Sequence, residues 1–238
     1  MKDSINNDIE MSIFEHLEEL RQRIFIATAI FFIITTICFF YIKNISYLLQ
    51  EPALGIKFLQ LAPGEYFFSS IKIATYSGFV ISSPFIIYQI IMFVLPGLTN
   101  REANFLIPIL IASIILFFIG IIFSYKILAP AALVFFINYG ADIVEPLWSF
   151  EQYFDFILLL LFSTGLAFQI PIIQVTLGVM KIVSSSQMLS YWKYMVLLAT
   201  IIGAILTPST DPLTQILMSS AILILYFSGI AILVGLRK

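Results

Sequence analysis

Long apolar stretches alternate with short polar ones along this chain. Six stretches carry no charged residue: 24–42, 73–100, 103–125, 156–180, 194–210 and 212–236. A bilayer core of about 30 Å takes roughly 20 residues of helix, with about 17 as the lower end, so each stretch predicts a membrane-spanning helix. A further apolar stretch, 127–141, contains Pro130, Asn138 and Gly140 and reads as an extension of the third helix and the loop beyond it. The expected architecture is an all-α integral membrane protein, with six transmembrane helices in a curved bundle. It forms a single membrane domain over 1–238, with spans at about 24–42, 73–98, 103–125, 156–180, 194–210 and 212–236.

The prolines refine this picture. Pro84, Pro108 and Pro171 fall inside predicted spans and are expected to kink them, whereas Pro52, Pro130 and Pro208 fall in loops or at helix ends. The fifth span is short: Tyr194 to Leu206 reaches only about 20 Å as a helix, which predicts local bilayer thinning or a partner helix alongside.

Hydrophobic residues make up 61% of the chain, charged residues 11%, and mean hydropathy is +1.04, which excludes a soluble globular core. The net charge of −2 and the lack of a basic tract leave nothing to follow a phosphate backbone, so nucleic acid is not an expected partner. Cys38, the single cysteine, lies inside the first span and reads as a small core hydrophobe. Residues 1–23 hold six acids and lack the layout of a cleavable signal peptide, so the first span is expected to be retained. Placing the N-terminus on the cytoplasmic or stromal side puts eight of the 12 Lys and Arg residues there; with six spans the C-terminus joins it. The connections 43–72 and 126–155 then lie opposite. Their aromatic content, including Phe58, Tyr66, Phe136 and Trp148, predicts that they lie on the interface or cap the bundle.

Candidate chemistry is concentrated in one cluster, His16 to Arg23. Ser12 and Glu15 have capping-box spacing, and Ile13, Leu17, Leu20 and Ile24 follow on one helical face, with Glu15, Glu18, Glu19 and Gln22 on the other. Glu19 precedes Arg23 by four residues, the favourable order for an ion pair. On the residues alone, 1–23 is an amphipathic surface helix that solubilises its end of the chain. Gln169, just before Pro171, is the outstanding polar residue within a span, and its amide must find partners; a hydrogen bond between helices of the bundle would supply them. No acid or base lies inside a predicted span, and no metal-ligand or cofactor motif is present, so a secondary transporter or an intramembrane hydrolase finds no machinery.

The cluster His16-Leu17-Glu18-Glu19-Leu20-Arg21-Gln22-Arg23 is followed in order by Glu51-Pro52, Ser83-Pro84-Phe85, Tyr88-Gln89 and Phe93-Val94-Leu95-Pro96-Gly97-Leu98. Asn100-Arg101-Glu102 and Leu206-Thr207-Pro208 with Asp211 complete the set. Together they resemble the TatC family, the multi-spanning receptor subunit of the twin-arginine protein translocase. The resemblance implies recognition, without catalysis, of the twin-arginine signal peptides of folded precursors. It also implies assembly with small single-span subunits into a homo- or hetero-oligomer, in a plastid thylakoid membrane or a bacterial plasma membrane. Glu19 and Glu102 are its implied carboxylates for two guanidinium groups, whose planar forks suit paired oxygens. His16, Leu20, Arg21, Arg23 and Phe93 are implied around them. Gln169 stands where many members carry Glu and is implied in contact with a small subunit; Pro52, Pro84 and Asp211 are grouped with it as partner-contact or structural positions. A membrane scaffold without signal recognition remains the main alternative, with a secondary transporter behind it.

Overall fold

The computed structural model describes residues 13–53, 55–94, 105–140, 147–206 and 212–235. The segment expected to lie on the surface runs without a break into the first apolar stretch, as α1 (Ile13–Phe40). Then come α2 (Ile42–Gln50), a 3₁₀ turn at Glu51–Ala53 that contains Pro52, and the short strand β1 (Lys57–Leu59). Helix α3 (Glu65–Val94) returns antiparallel to α1. It begins eight residues before the second charge-free stretch, because Lys72, which interrupts the apolar pattern, is paired with Glu151 at 2.8 Å and Asp155 at 2.9 Å.

The third apolar helix is α4 (Leu106–Phe123), which continues through a π-turn at Ser124–Leu128 into α5 (Ala129–Gly140). The widened turn lies just ahead of Pro130, whose missing N–H and bulky ring cannot follow a regular α-ladder. Strand β2 (Leu147–Ser149) pairs parallel with β1, Phe58 opposite Trp148, so the two connections meet and cap one end of the bundle. The fourth stretch is broken into α6 (Phe150–Ala167) and α7 (Ile170–Val179). A short α8 (Ser185–Ser190), then α9 (Trp192–Leu206) and α10 (Pro212–Gly235), complete the described order. Among the described residues, five helical segments are long and apolar enough to cross a membrane. Helix α9, at 15 residues, reaches only about 22 Å.

The prolines expected to kink their helices behave differently from one another. Pro108 is the third residue of α4, where a missing N–H costs no intrahelical bond. Pro84 sits inside an uninterrupted α3; the Val80 carbonyl that it cannot bond accepts the Ser83 hydroxyl at 2.7 Å. Only Pro171 coincides with a break, as the second residue of α7.

Helix α6 is the centre of the bundle. Its Phe154, Ile157 and Leu160 are fully buried with Ile73 of α3, Leu128, Ala199 of α9 and Ile222 of α10. The strand end is also fastened by polar contacts: Tyr153 Oη donates to the Leu49 carbonyl at 2.6 Å, and Tyr125 Oη lies 2.7 Å from the Leu48 carbonyl. Helix α1, by contrast, packs chiefly on α3 and leaves most of its apolar surface outward.

Its seam with α3 is tight. A Cβ built on Gly78 would lie 2.2 Å from Thr35 Oγ1 and 2.8 Å from Thr35 Cα, so only glycine admits this approach. Gly78→Ala is therefore expected to push α1 away from α3 at a cost of about 1–3 kcal/mol, the usual penalty for overpacking. Thermal unfolding in detergent checks this, and an unchanged midpoint would show that the seam yields freely.

Candidate functional site

Antiparallel packing of α1 on α3 brings the first turns of α1 against the last turns of α3, at the end of the bundle opposite the strands. The conserved geometry of a helix then decides which members of the charged cluster face inward. Glu19 and Arg23, one turn apart, lie on the α3 side with side-chain exposures of 17% and 21%. Arg23 Nε donates to Glu19 Oε1 at 2.8 Å and Nη2 to the same oxygen at 2.5 Å, while Nη1 reaches Gln89 Oε1 of α3 at 3.3 Å. The ion pair expected from the spacing is present, and α3 supports it through a residue to which the sequence had assigned no role of its own.

The other oxygen of Glu19 differs. Oε2 is buried and accepts no hydrogen bond. His16 also approaches it, with Nδ1 3.9 Å away, too far for a hydrogen bond. The His16 imidazole lies flat on Phe93 of α3, with ring centroids 4.3 Å apart and an interplanar angle of 12°. His16, Glu19, Arg23 and Phe93 are thus brought together. Leu20 and Arg23 line a groove of about 390 Å³ between α1 and α3, which Gln89, Ile90 and Phe93 close from the other side.

Arg21 is not in this group; it pairs with Glu18 on the outer face, where their exposures are 78% and 66%. The apolar stripe read from the sequence is only partly turned toward α3. Leu17 and Ile24 are exposed at 54% and 56% while Leu20 lines the groove, and of the polar set Glu19 faces α3 whereas Glu15, Glu18 and Gln22 are exposed. In a lipid solvent apolar side chains gain nothing by leaving the surface, so packing and polar contacts decide which face is buried. Glu102 and Asp211 lie outside the described residues.

A second polar position lies deeper. Gln169 occupies the junction between α6 and α7, where the helix break turns it toward α4. Its Oε1 accepts from Ser113 Oγ at 2.5 Å and its Nε2 donates to the Ser113 carbonyl at 3.1 Å, so both ends of the amide are satisfied by one residue. The pair lines a larger apolar cavity of about 490 Å³ between α3, α4 and α7, and this cavity shares Phe79, Ile86 and Ile90 with the first groove. Ser113 was not singled out from the sequence; a lone serine in an apolar helix carries no signal until its partner is known. The chemistry available is recognition: a part-buried carboxylate with one free oxygen, an aromatic face and adjoining apolar grooves. Among the described residues, no group of three or more His, Cys, Asp or Glu could hold a metal ion.

A multi-helix membrane protein is the class of protein that these features describe. A family model for the Sec-independent protein translocase protein (TatC) matches residues 15–220. A tatC-like protein ycf43 of Gracilaria tenuistipitata var. liui is 73% identical, covering 100% of both chains. The Sec-independent protein translocase protein TatC of Synechocystis is 58% identical over 96% of this chain and 90% of its own. The crystal structure of the twin arginine translocase receptor TatC superimposes with a TM-score of 0.82 at 35% identity, over 94% of this chain and 100% of that one. The chain belongs to the TatC family, and it is an integral, multi-pass membrane protein with both cyanobacterial and chloroplastic relatives.

The Gln169–Ser113 pair gives a direct stability test. Gln169→Leu removes both hydrogen bonds and is expected to cost about 1–2 kcal/mol, and Ser113→Ala, which removes one, about half of that. Thermal unfolding of the purified variants checks the ratio, and equal losses would contradict the paired geometry.

Proposed function

We propose that this chain is the receptor subunit of a twin-arginine protein translocase, which binds consecutive arginines of a signal peptide through Glu19 and Glu102 and then nucleates assembly of the pathway for folded cargo. The reading rests on one observation above all, the part-buried Glu19 carboxylate whose second oxygen has no hydrogen-bond partner. A guanidinium group supplies the planar, permanently charged donor that such an oxygen lacks. His16, Leu20, Arg23 and Phe93 surround that carboxylate, while Arg21, paired with Glu18 on the outer face, steadies the helix that carries it. The protein acts by binding and without catalysis.

The topology that serves this role has six spans, with the short α9 as the fifth, in a single membrane domain. Both termini then face the cytoplasm or stroma, in a thylakoid or bacterial plasma membrane. Glu19 and Glu102 share that face, where partial exposure keeps the desolvation cost of a carboxylate manageable. Small single-span subunits complete the oligomer, with Gln169 among their contacts and Pro52, Pro84 and Asp211 as contact or structural positions. Gln169 is neutral, so the contact rests on hydrogen bonding and requires no titrating carboxylate.

Photocrosslinking from positions 24 and 90, which line the groove beside Glu19, to a twin-arginine precursor in native membranes tests the receptor role. Strong crosslinks are expected, lost with a twin-lysine precursor and weakened by Glu19→Gln or Glu102→Gln. Arginine-independent crosslinks would favour a scaffold without signal recognition. Gln169→Leu is expected to leave these crosslinks intact while reducing crosslinks to a small single-span subunit; unchanged subunit crosslinks would remove Gln169 from that contact.

A further inference from the structure

Glu19 is held in a half-occupied state. Two N–H groups of Arg23 converge on Oε1, and Arg23 is itself tied to Gln89, so this side of the carboxylate is committed. Oε2 is buried and unbonded, and an imidazole that stacks on Phe93 approaches it to 3.9 Å without reaching hydrogen-bond distance. A planar nitrogen ring lying on an aromatic face beside a carboxylate oxygen occupies the place that a guanidinium would take. Arg stacks on aromatic rings in the same way, but its longer reach and its fork of donors can close the gap that the imidazole leaves open.

We propose that His16 is a placeholder, filling the slot between Phe93 and Glu19 Oε2 until a ligand arginine displaces it. The proposal rests on the receptor reading above and adds to it which oxygen is used, which ring forms the platform and what must move first. His16 is suited to moving. It lies in the first turns of α1, its side chain is 40% exposed, and its described contacts are the stack on Phe93 and the 3.9 Å approach to Glu19. Arg23 is not suited, being 21% exposed and bonded to two residues. Ligand binding therefore draws on the fraction of molecules in which the imidazole has swung out, and apparent affinity is lowered by that fraction.

The placeholder role has a direction that a supporting role lacks. His16→Ala empties the slot and is expected to tighten binding of a histidine-free peptide with consecutive arginines by about three- to tenfold, with no gain for the consecutive-lysine peptide. His16→Phe keeps a ring on Phe93 and is expected to bind no more tightly than the unsubstituted protein. Both are measured on the full chain in lipid nanodiscs. The chain has one histidine, so isotope labelling of that residue type reports on His16 alone even if a variant folds poorly. The arginine peptide is expected to shift its ring resonances toward those of a solvated imidazole. Weaker binding by His16→Ala, or arginine binding with the imidazole signals unmoved, would overturn the placeholder while leaving the receptor reading intact. Absence of arginine-selective binding to the unsubstituted protein would overturn both.

Discussion

The carboxylate of Glu65 fixes the strand end of the molecule. Oε2 accepts the backbone N–H groups of Leu61 and Ala62, at 2.5 and 3.0 Å, and Oε1 accepts Ser149 Oγ at 2.8 Å and the N–H of Glu151 at 2.9 Å. One side chain thereby joins the turn ahead of α3, the end of β2 and the start of α6. Orphan N–H groups at helix starts need acceptors, and a buried carboxylate needs donors, so each group removes the other's desolvation penalty. Lys72, Glu151 and Asp155 add an ionic contact between the same two helices. With α3 and α6 fixed here, the buried core around Phe154 and Ile157 follows next to the clamp.

Glu19 at the other end has the same functional group under a different constraint. Glu65 has four donors and a finished shell, whereas Glu19 has one oxygen committed to Arg23 and the other unbonded. A bundle fastened at one end can tolerate an incomplete carboxylate at the far end. An unsatisfied buried acceptor costs stability and is kept where a ligand can complete it. That contrast separates the structural acid from the proposed binding acid more clearly than burial does, since both are largely withdrawn from solvent.

Much of the fold was legible because the bilayer imposes a simple rule: backbone polar groups must be satisfied within a helix, so apolar length reads almost directly as a span. The short fifth helix and the extension of the third past Lys126 follow from this rule. It fails where polar residues are satisfied by distant partners. Lys72 ends a charge-free stretch in the sequence but lies within α3, because its counter-ions come from a helix some 80 residues away. The break beside Gln169 was legible from Pro171, but the Ser113 partner of Gln169, 56 residues away, was hidden for the same reason, as was the role of Gln89 beside Arg23. In the site, the i, i+4 pair was legible because it is local. The stack of His16 on Phe93 was not, since it depends on the antiparallel register of two helices 77 positions apart in the chain.

That register has its own physical basis. Between helices immersed in lipid there is no gain from hiding apolar side chains, so α1 is held to α3 by close approach and a few polar contacts. Gly78 against Thr35 provides the approach near the middle of the seam, and Arg23 to Gln89 provides a polar contact near its end. A helix held along a narrow seam and otherwise facing lipid can shift slightly at its free end without disturbing the core around α6. The residues proposed to recognise a ligand sit at that end. The exchange proposed at Glu19 would then be confined to the first turns of α1, beyond the close approach of Thr35 to Gly78 that fixes the rest of the seam.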